Sequence, residues 1–301
     1  MIEVDRAVKR YSAVTAVDEV SFTAEPGRVT ALLGPNGAGK TSVLRMIVGL
    51  TRPDRGRVAA RVRGRTAARG EIGYLPEERG LYKETPVLRT LSFFGRLAGL
   101  ERREADRAAR DWLDRLGLAD KASHKIDSLS RGNQQKVQLA AALLHRPAVA
   151  ILDEPFSGLD PLNQDLFIAL IRELCEREAT VLMSAHEMSL VERVADRLVL
   201  LRDGRVVLDG EIADLQRRFG AGEVHEIDFT APVDPDLLAG HAAVMSVEAI
   251  APASLRVVVS RPLGDILTSL DVTRIASVRS GRISLHDVYV RTMGVAAGGA
   301  P

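Results

Sequence analysis

The sequence predicts an α/β nucleotide-binding core with an inserted helical subdomain, followed by a small α+β domain. Three observations carry that prediction. Over the first 215 residues, apolar strand-like runs alternate with helical patterns. A glycine-rich loop, GPNGAGKTS at 34–42, stands directly between one such strand and a helix. Beyond about residue 222 the pattern changes to short alternating strands separated by helix-length segments.

In chain order, VTALLG (29–34) is a buried strand, and TSVLRMIVGL (41–50) follows it with helical periodicity. Residues about 86–145 are mostly helical in pattern. They include ERREADRAARDWLDRLGL, whose apolar Trp112, Leu113 and Leu116 mark a packed face, and they predict the inserted subdomain. VAILDE (149–154) and TVLMSAH (180–186) are further buried strands. RLVLLRDGRVVLDGE (197–211) reads as a hairpin turning at Asp203-Gly204. Between these strands, NQDLFIALIRELCERE repeats Leu166, Leu170, Ile171, Leu174 and Cys175 at helical spacing, so Cys175 is expected to be a buried thiol.

The first domain is expected over 1–216, with RRFGAGE (217–223) as a short linker and a second domain over 222–294. Within the second, the order β-α-β-β-α-β matches the split, ferredoxin-like plan, and a final helix is expected near 284–293. Helical segments are expected near 234–240 and 262–270. The tail, 295–301, is expected to be disordered. There is neither an internal repeat nor a low-complexity tract.

Composition excludes several classes of function. The 301 residues carry 41 Lys+Arg against 40 Asp+Glu, a net charge of +1, which rules out a polybasic surface as the means of holding nucleic acid or anionic lipid. No nucleic-acid partner is expected. One cysteine allows neither an intramolecular disulfide nor a zinc constellation. The N-terminus, MIEVDRAVKRYSAV, lacks the apolar stretch of a signal peptide, and no run approaches the roughly 20 apolar residues of a membrane span. A cytoplasmic protein is expected, and any membrane role needs a partner.

The residues that carry chemistry form two strong signals. In GPNGAGKTS, Gly34, Gly37 and Gly39 let the backbone N–H groups turn toward phosphate oxygens, with Pro35, Asn36, Ala38 and Ser42 completing the loop. Lys40 would neutralise the β- and γ-phosphates, and Thr41 would place its hydroxyl on Mg²⁺. In VAILDEP (149–155), Asp153 emerges at the C-terminal end of a buried strand, suited to holding Mg²⁺ through water. Glu154 is placed to polarise an attacking water as general base. Hydrolysis of ATP (or GTP) is the chemistry these two segments predict together.

Two weaker signals follow. LSRGNQQKVQLAAALL (129–144) opens a helix with Ser130 and Gly132, a second N-terminus able to receive phosphate, which suggests a site shared between two subunits. An ordinary serine cap is the alternative. His186, ending TVLMSAH, could reach the γ-phosphate or Glu154; a structural histidine is the alternative.

At this point residues 1–215 resemble the ATP-binding cassette (ABC) ATPases, a family within the P-loop NTPases. Its motifs occur in order: Walker A GPNGAGKTS, a Q-loop region IGYLPEERGLY (72–82), the signature LSRGN, Walker B VAILDE, a D-loop SGLD (157–160) and the switch His186. Tyr11 matches the aromatic that stacks on adenine in the family, a half-buried strand tyrosine being the alternative. There are two departures. Glu77 replaces the usual glutamine, and a carboxylate there can still ligate Mg²⁺ or orient water. In the signature, Arg131 replaces a glycine and Asn133 a glutamine. PEERGLY, GNQQKVQ and EPFSGLDP together look like ATPase subunits of ABC-2 type export systems, including those of sodium extrusion and drug or antibiotic efflux. SLHDVYVRTMG (284–294) resembles the C-terminal ending of the same branch.

The resemblance implies a dimer of cassettes, with a second copy or a close relative, sandwiching two ATP. Walker A, Asp153 and Glu154 of one subunit would face Ser130, Gly132 and Asn133 of the other. It also implies a separate transmembrane permease, which would hold the cassette peripherally on the inner face of the membrane and be contacted through a groove at about 77–100. Tyr82, Phe93 and Phe94 fall in that groove, though core packing is the simpler expectation for each alone. A soluble cassette acting on ribosomes or nucleic acid is the competing reading. A single cassette, 53 residues between Glu77 and Ser130 with no heptad run, and near-neutral charge oppose it. A C-terminal domain that senses a ligand and gates the ATPase is compatible with the transporter reading.

Overall fold

The computed structural model describes residues 1–78, 80–219, 223–260, 263–267, 274–281 and 284–294. The chain divides at Gly210/Glu211 into two compact units. The first opens with β1 (Ile2–Tyr11), β2 (Val14–Ala24), β3 (Val29–Leu33) and α1 (Lys40–Ile47), followed by β4 (Arg55–Val62), β5 (Arg65–Thr66) and β6 (Ile72–Leu75). Three helices come next: α2 (Val87–Leu97), α3 (Arg102–Arg115) and α4 (Arg131–Leu143). The unit closes with β7 (Val149–Leu152), α5 (Pro161–Glu176), β8 (Thr180–Ser184), α6 (Met188–Val194), β9 (Arg197–Arg202) and β10 (Arg205–Glu211).

The central sheet has the order β10-β9-β3-β8-β7-β6. Its neighbours from β9 to β6 pair in parallel. Every residue of β3, β7 and β8 is buried, which is why these segments are apolar throughout rather than alternating. All three deliver their C-terminal ends to one edge, the place where open parallel sheets bind ligands. At the far end of the sheet, Asp203 and Gly204 both adopt positive φ, 50° and 76°, and turn β9 into β10 as the Asp-Gly pair requires.

A second, antiparallel sheet of order β2-β1-β4-β5 covers α1 and shares its core with the central sheet. Its strands are hard to read from the sequence because irregularities interrupt the pairing of β1 with β2 between Val4 and Ala7 and again near Lys9. Each shift breaks the period of two that marks a strand. Helices α2, α3 and α4 lie between β6 and β7 in sequence and pack together. Trp112 and Leu113 of α3 are buried, as is Leu116 at its end. Cys175 is buried on α5, whose start is set by Asp160 capping the Asn163 N–H at 2.9 Å and by Pro161.

The second unit comprises α7 (Ile212–Phe219), β11 (Glu223–Phe229), α8 (Asp236–Ala239), β12 (Val244–Ala251), β13 (Ser254–Val259), α9 (Gly264–Leu267), β14 (Ile275–Gly281) and α10 (Leu285–Gly294). Its sheet has the order β12-β13-β11-β14, and the pairs are antiparallel. Strand β13 therefore sits between β11 and β12, the split βαβ arrangement. Ile227, Phe229, Leu255, Val257 and Val259 form its core with Leu238 of α8. One expectation needs correcting: residues 217–219 are not linker but the last turn of α7, where Arg217 and Arg218 supply the positive charge favoured at a helix C-terminus. The expected disordered tail, and parts of the helix at 262–270 and of the strand at 272–278, lie outside the described residues.

Candidate functional site

The loop at 34–39 joins the end of β3 to α1, and its shape depends on glycine. Gly39 has φ of +99°, and a Cβ there would lie 2.3 Å from the Ala16 carbonyl of β2, so only glycine lets the loop rest against that strand. No side chain caps α1, whose first-turn N–H groups remain available to an anion. The Lys40 ammonium folds across the loop, donating to the carbonyls of Gly34 at 2.7 Å and Pro35 at 3.2 Å.

The loop forms one wall of an open cleft. Asn36, Gly37, Ala38, Gly39, Lys40, Thr41, Ser42 and Ala16 line one side, and Glu77, Asp153 and Glu154 line the other. Asp153 is 1% exposed. Its backbone N–H donates to the Leu75 carbonyl at 2.8 Å, which ties the ends of β7 and β6 together. One carboxylate oxygen, Oδ1, accepts the Ser184 hydroxyl at 2.6 Å. The other, Oδ2, is buried with no partner among the described residues. Leaving such an oxygen unpaired is costly, so the site fits a cation or a cation-bound water. No cluster of three or more His, Cys, Asp or Glu side chains poised for a metal occurs among the described residues. The donors present, Thr41 with Asp153 and Glu77, suit a Mg²⁺ ion that takes its remaining ligands from phosphates and water. Beside them, the half-buried Tyr74 phenol is held above its ordinary pKa by burial and then by the Asp153 charge.

Glu154 adopts a left-handed backbone, φ 52°, rare for a residue other than glycine and a form of strain typical of functional sites. Its N–H donates to Ser184 Oγ at 2.9 Å. Its carboxylate meets His186 Nδ1 at 2.7 Å. Glu154 thus stands between the cleft and a second cavity lined by Phe156, Ser157, Gly158, Gln164 and His186. Sequence reading did not single out Ser184. Its signal was present, a hydroxyl at the C-terminal end of a strand whose middle, VLM, is apolar.

Other expected residues lie outside this cleft. Ser130 caps α4, its hydroxyl accepting the Asn133 N–H at 3.3 Å. Ser130, Gly132 and Asn133 do not line the cleft of their own chain, and neither does Tyr11, an exposed ring at the end of β1 with Lys9 Nζ 5.6 Å from its centroid. The expectation of core packing is overturned for Tyr82 and Phe93, while Phe94 is half-buried. Tyr82 is 56% and Phe93 42% exposed, and the three rings pack on one another with centroids 5.6–6.3 Å apart. The amphipathic α2 turns Val87, Thr90 and Leu91 inward, which leaves Phe93 on its outer side.

A glycine loop of phosphate-binding form, facing the buried Asp153 and half-buried Glu154 just beyond a parallel strand, is the arrangement of a P-loop nucleoside triphosphatase. The family model for ABC transporters matches residues 17–157. The uncharacterised ABC transporter ATP-binding protein YhaQ of Bacillus subtilis is 34% identical over 98% of this chain and 99% of its own. The linearmycin resistance ATP-binding protein LnrL, also of Bacillus subtilis, is 33% identical over 75% of this chain and 74% of its own. Among solved structures, the ATP-binding subunit of an ABC transporter superposes with a TM-score of 0.67 at 33% identity, covering 73% of this chain and 93% of that one. The chain belongs to the ABC transporter ATP-binding family and is an ATPase of that class.

Proposed function

We propose that this chain is the ATP-hydrolysing subunit of an ABC-2 type exporter, working as a cassette dimer on a separate permease. The observation that carries the reading is the meeting of Lys40, Thr41, Glu77, Asp153 and Glu154 on one cleft while Ser130, Gly132 and Asn133 stand apart from it. A signature that cannot serve its own cleft is left to serve a partner's. Lys40 and the loop amides bind the β- and γ-phosphates, and Tyr11 stacks on the adenine. Thr41, Asp153 and Glu77 would hold Mg²⁺, which would neutralise charge on the phosphates. Glu154 takes a proton from the attacking water, and His186 holds that carboxylate in orientation. ATP closes the dimer, and release of phosphate lets it reopen.

Export is supported by the PEERGLY, GNQQKVQ and EPFSGLDP segments and by the resistance-linked relative. The substrate class this supports is a drug, antibiotic or ion. No described helix is long and apolar enough to cross a membrane, so the permease is a separate chain in this reading and the cassette sits peripherally on the cytoplasmic face. The exposed Tyr82 and Phe93, with the half-buried Phe94 packed against them, are suited to contact it.

The test pairs two variants. Lys40→Ala is expected to weaken ATP binding roughly 10- to 100-fold, the value of a charge-assisted contact. Glu154→Gln is expected to keep binding, lose hydrolysis and accumulate an ATP-dependent dimer in light scattering. Affinity capture of that variant from gently solubilised membranes should then recover a polytopic membrane protein. Undiminished binding by Lys40→Ala, or a strictly monomeric Glu154→Gln with ATP, overturns the mechanism. Recovery of ribosomal components in place of a permease overturns export.

A further inference from the structure

Two glutamine side chains in the middle of α4 are buried, each 3% exposed, at positions where an apolar residue would avoid the cost of burying an amide. Both reach the loops that carry the cleft carboxylates. Gln135 Nε2 donates to the Pro155 carbonyl at 2.9 Å, immediately after Glu154. Gln138 Nε2 donates to two carbonyls, those of Pro76 at 2.7 Å and Glu78 at 3.2 Å. These are the residues on either side of Glu77. The clamp fixes the Pro76–Glu77 peptide plane directly and anchors the Glu78 carbonyl one residue beyond, so it holds the backbone on both sides of Glu77 and limits the direction in which its side chain leaves. The arrangement has a cost, because Gln138 Oε1 is buried without a partner among the described residues.

The other end of the same helix is the Ser130–Asn133 segment, assigned above to the nucleotide of a partner cassette. An α-helix is stiff over the roughly 8 Å from Asn133 to Gln138, so a shift at its N-terminus is carried to the clamp. We propose that Gln138 is a positioning residue that ties Glu77 to the signature end of α4, so that engagement there by a partner's nucleotide sets the carboxylate in this chain's own cleft. The proposal rests on the reading of Glu77 given under the proposed function.

The experiment is a double-mutant cycle in the full chain, Gln138→Leu with Glu77→Ala. It is read by binding of a fluorescent ATP analogue, by ATP hydrolysis as a function of Mg²⁺ concentration, and by thermal melting. Gln138→Leu is expected to leave analogue affinity within about twofold and the melting temperature within about 4 °C. Its kcat is expected to fall roughly 10- to 100-fold, and half-maximal activity should require more Mg²⁺. Both effects should vanish in the Glu77→Ala background. Gln138→Met, unbranched and of similar length, replaces Gln138→Leu if the latter fails to fold. Losses that multiply in the double variant, or full hydrolysis by Gln138→Leu, overturn the proposal alone. Wild-type hydrolysis and Mg²⁺ dependence in Glu77→Ala overturn the reading of the cleft, and the proposal with it.

Discussion

Ser184 joins the two acids of the cleft through one hydroxyl, which donates to Asp153 Oδ1 and accepts from the Glu154 N–H. That single bridge explains how Glu154 is held in a strained backbone within reach of His186, while Asp153 keeps one oxygen unspent. The roles proposed for Lys40, Asp153 and Glu154 can be read in the sequence because each lies inside a contiguous motif. The bridge cannot, since Ser184 is 31 residues from Asp153 and only the parallel pairing of β7 with β8 brings them together. Cys175 offers a test at the same scale. Burial first, and then the nearby Asp196 charge, raise its thiol from the ordinary 9.0 to about 11. The folded chain therefore disfavours the thiolate. The thiol's contribution to stability is fully present below pH 9 and is lost as pH rises from about 9 to about 11. Native protein at pH 8 should resist a thiol-alkylating reagent, whereas urea-unfolded protein should react at once. Rapid native labelling at Cys175 would contradict this.

At the scale of elements, the passage of α4 over the ends of β6 and β7 organises the site. Its approach to β6 is close enough to require glycine. A Cβ on Gly73 would lie 2.3 Å from the Ala142 carbonyl and 2.8 Å from Pro147 Cγ. Gly73→Ala is therefore expected to destabilise the fold by about 1–3 kcal/mol through overpacking. Urea denaturation should give a lower midpoint with an unchanged slope, and an unchanged midpoint would mean the helix can yield. Periodicity announced α3 and α5 plainly. It could not announce this contact, because a lone glycine in a strand pattern says only that some backbone comes near. The irregular pairing of β1 with β2 hid the antiparallel sheet for a related reason, since each register shift erases the alternation by which strands are read.

For the whole molecule, the division at Gly210/Glu211 assigns α7 to the C-terminal unit, where Arg291 of α10 donates to the Phe219 carbonyl at 2.5 Å. A fragment of 211–301 is expected to melt cooperatively, and a fragment starting at 222 to melt lower or without cooperativity. Calorimetry on the two decides it, and equal melting temperatures would remove α7 from the unit. The split β-α-β order of that unit was readable from strand spacing, and the sheet order β12-β13-β11-β14 follows from it. The boundary was misread because GAG at 220–222 resembles a linker while the residues before it satisfy a helix.

By itself the sequence predicted the chemistry, because the phosphate-binding loop and the acid pair each reside in one short contiguous segment. Tertiary structure alone decided which residues support that chemistry. Ser184 beneath the acids, Gln138 behind Glu77 and the exposure of Tyr82 and Phe93 depend on chain segments that meet across the fold. Such contacts leave no periodic trace, since a buried amide or hydroxyl is identified only by what it touches.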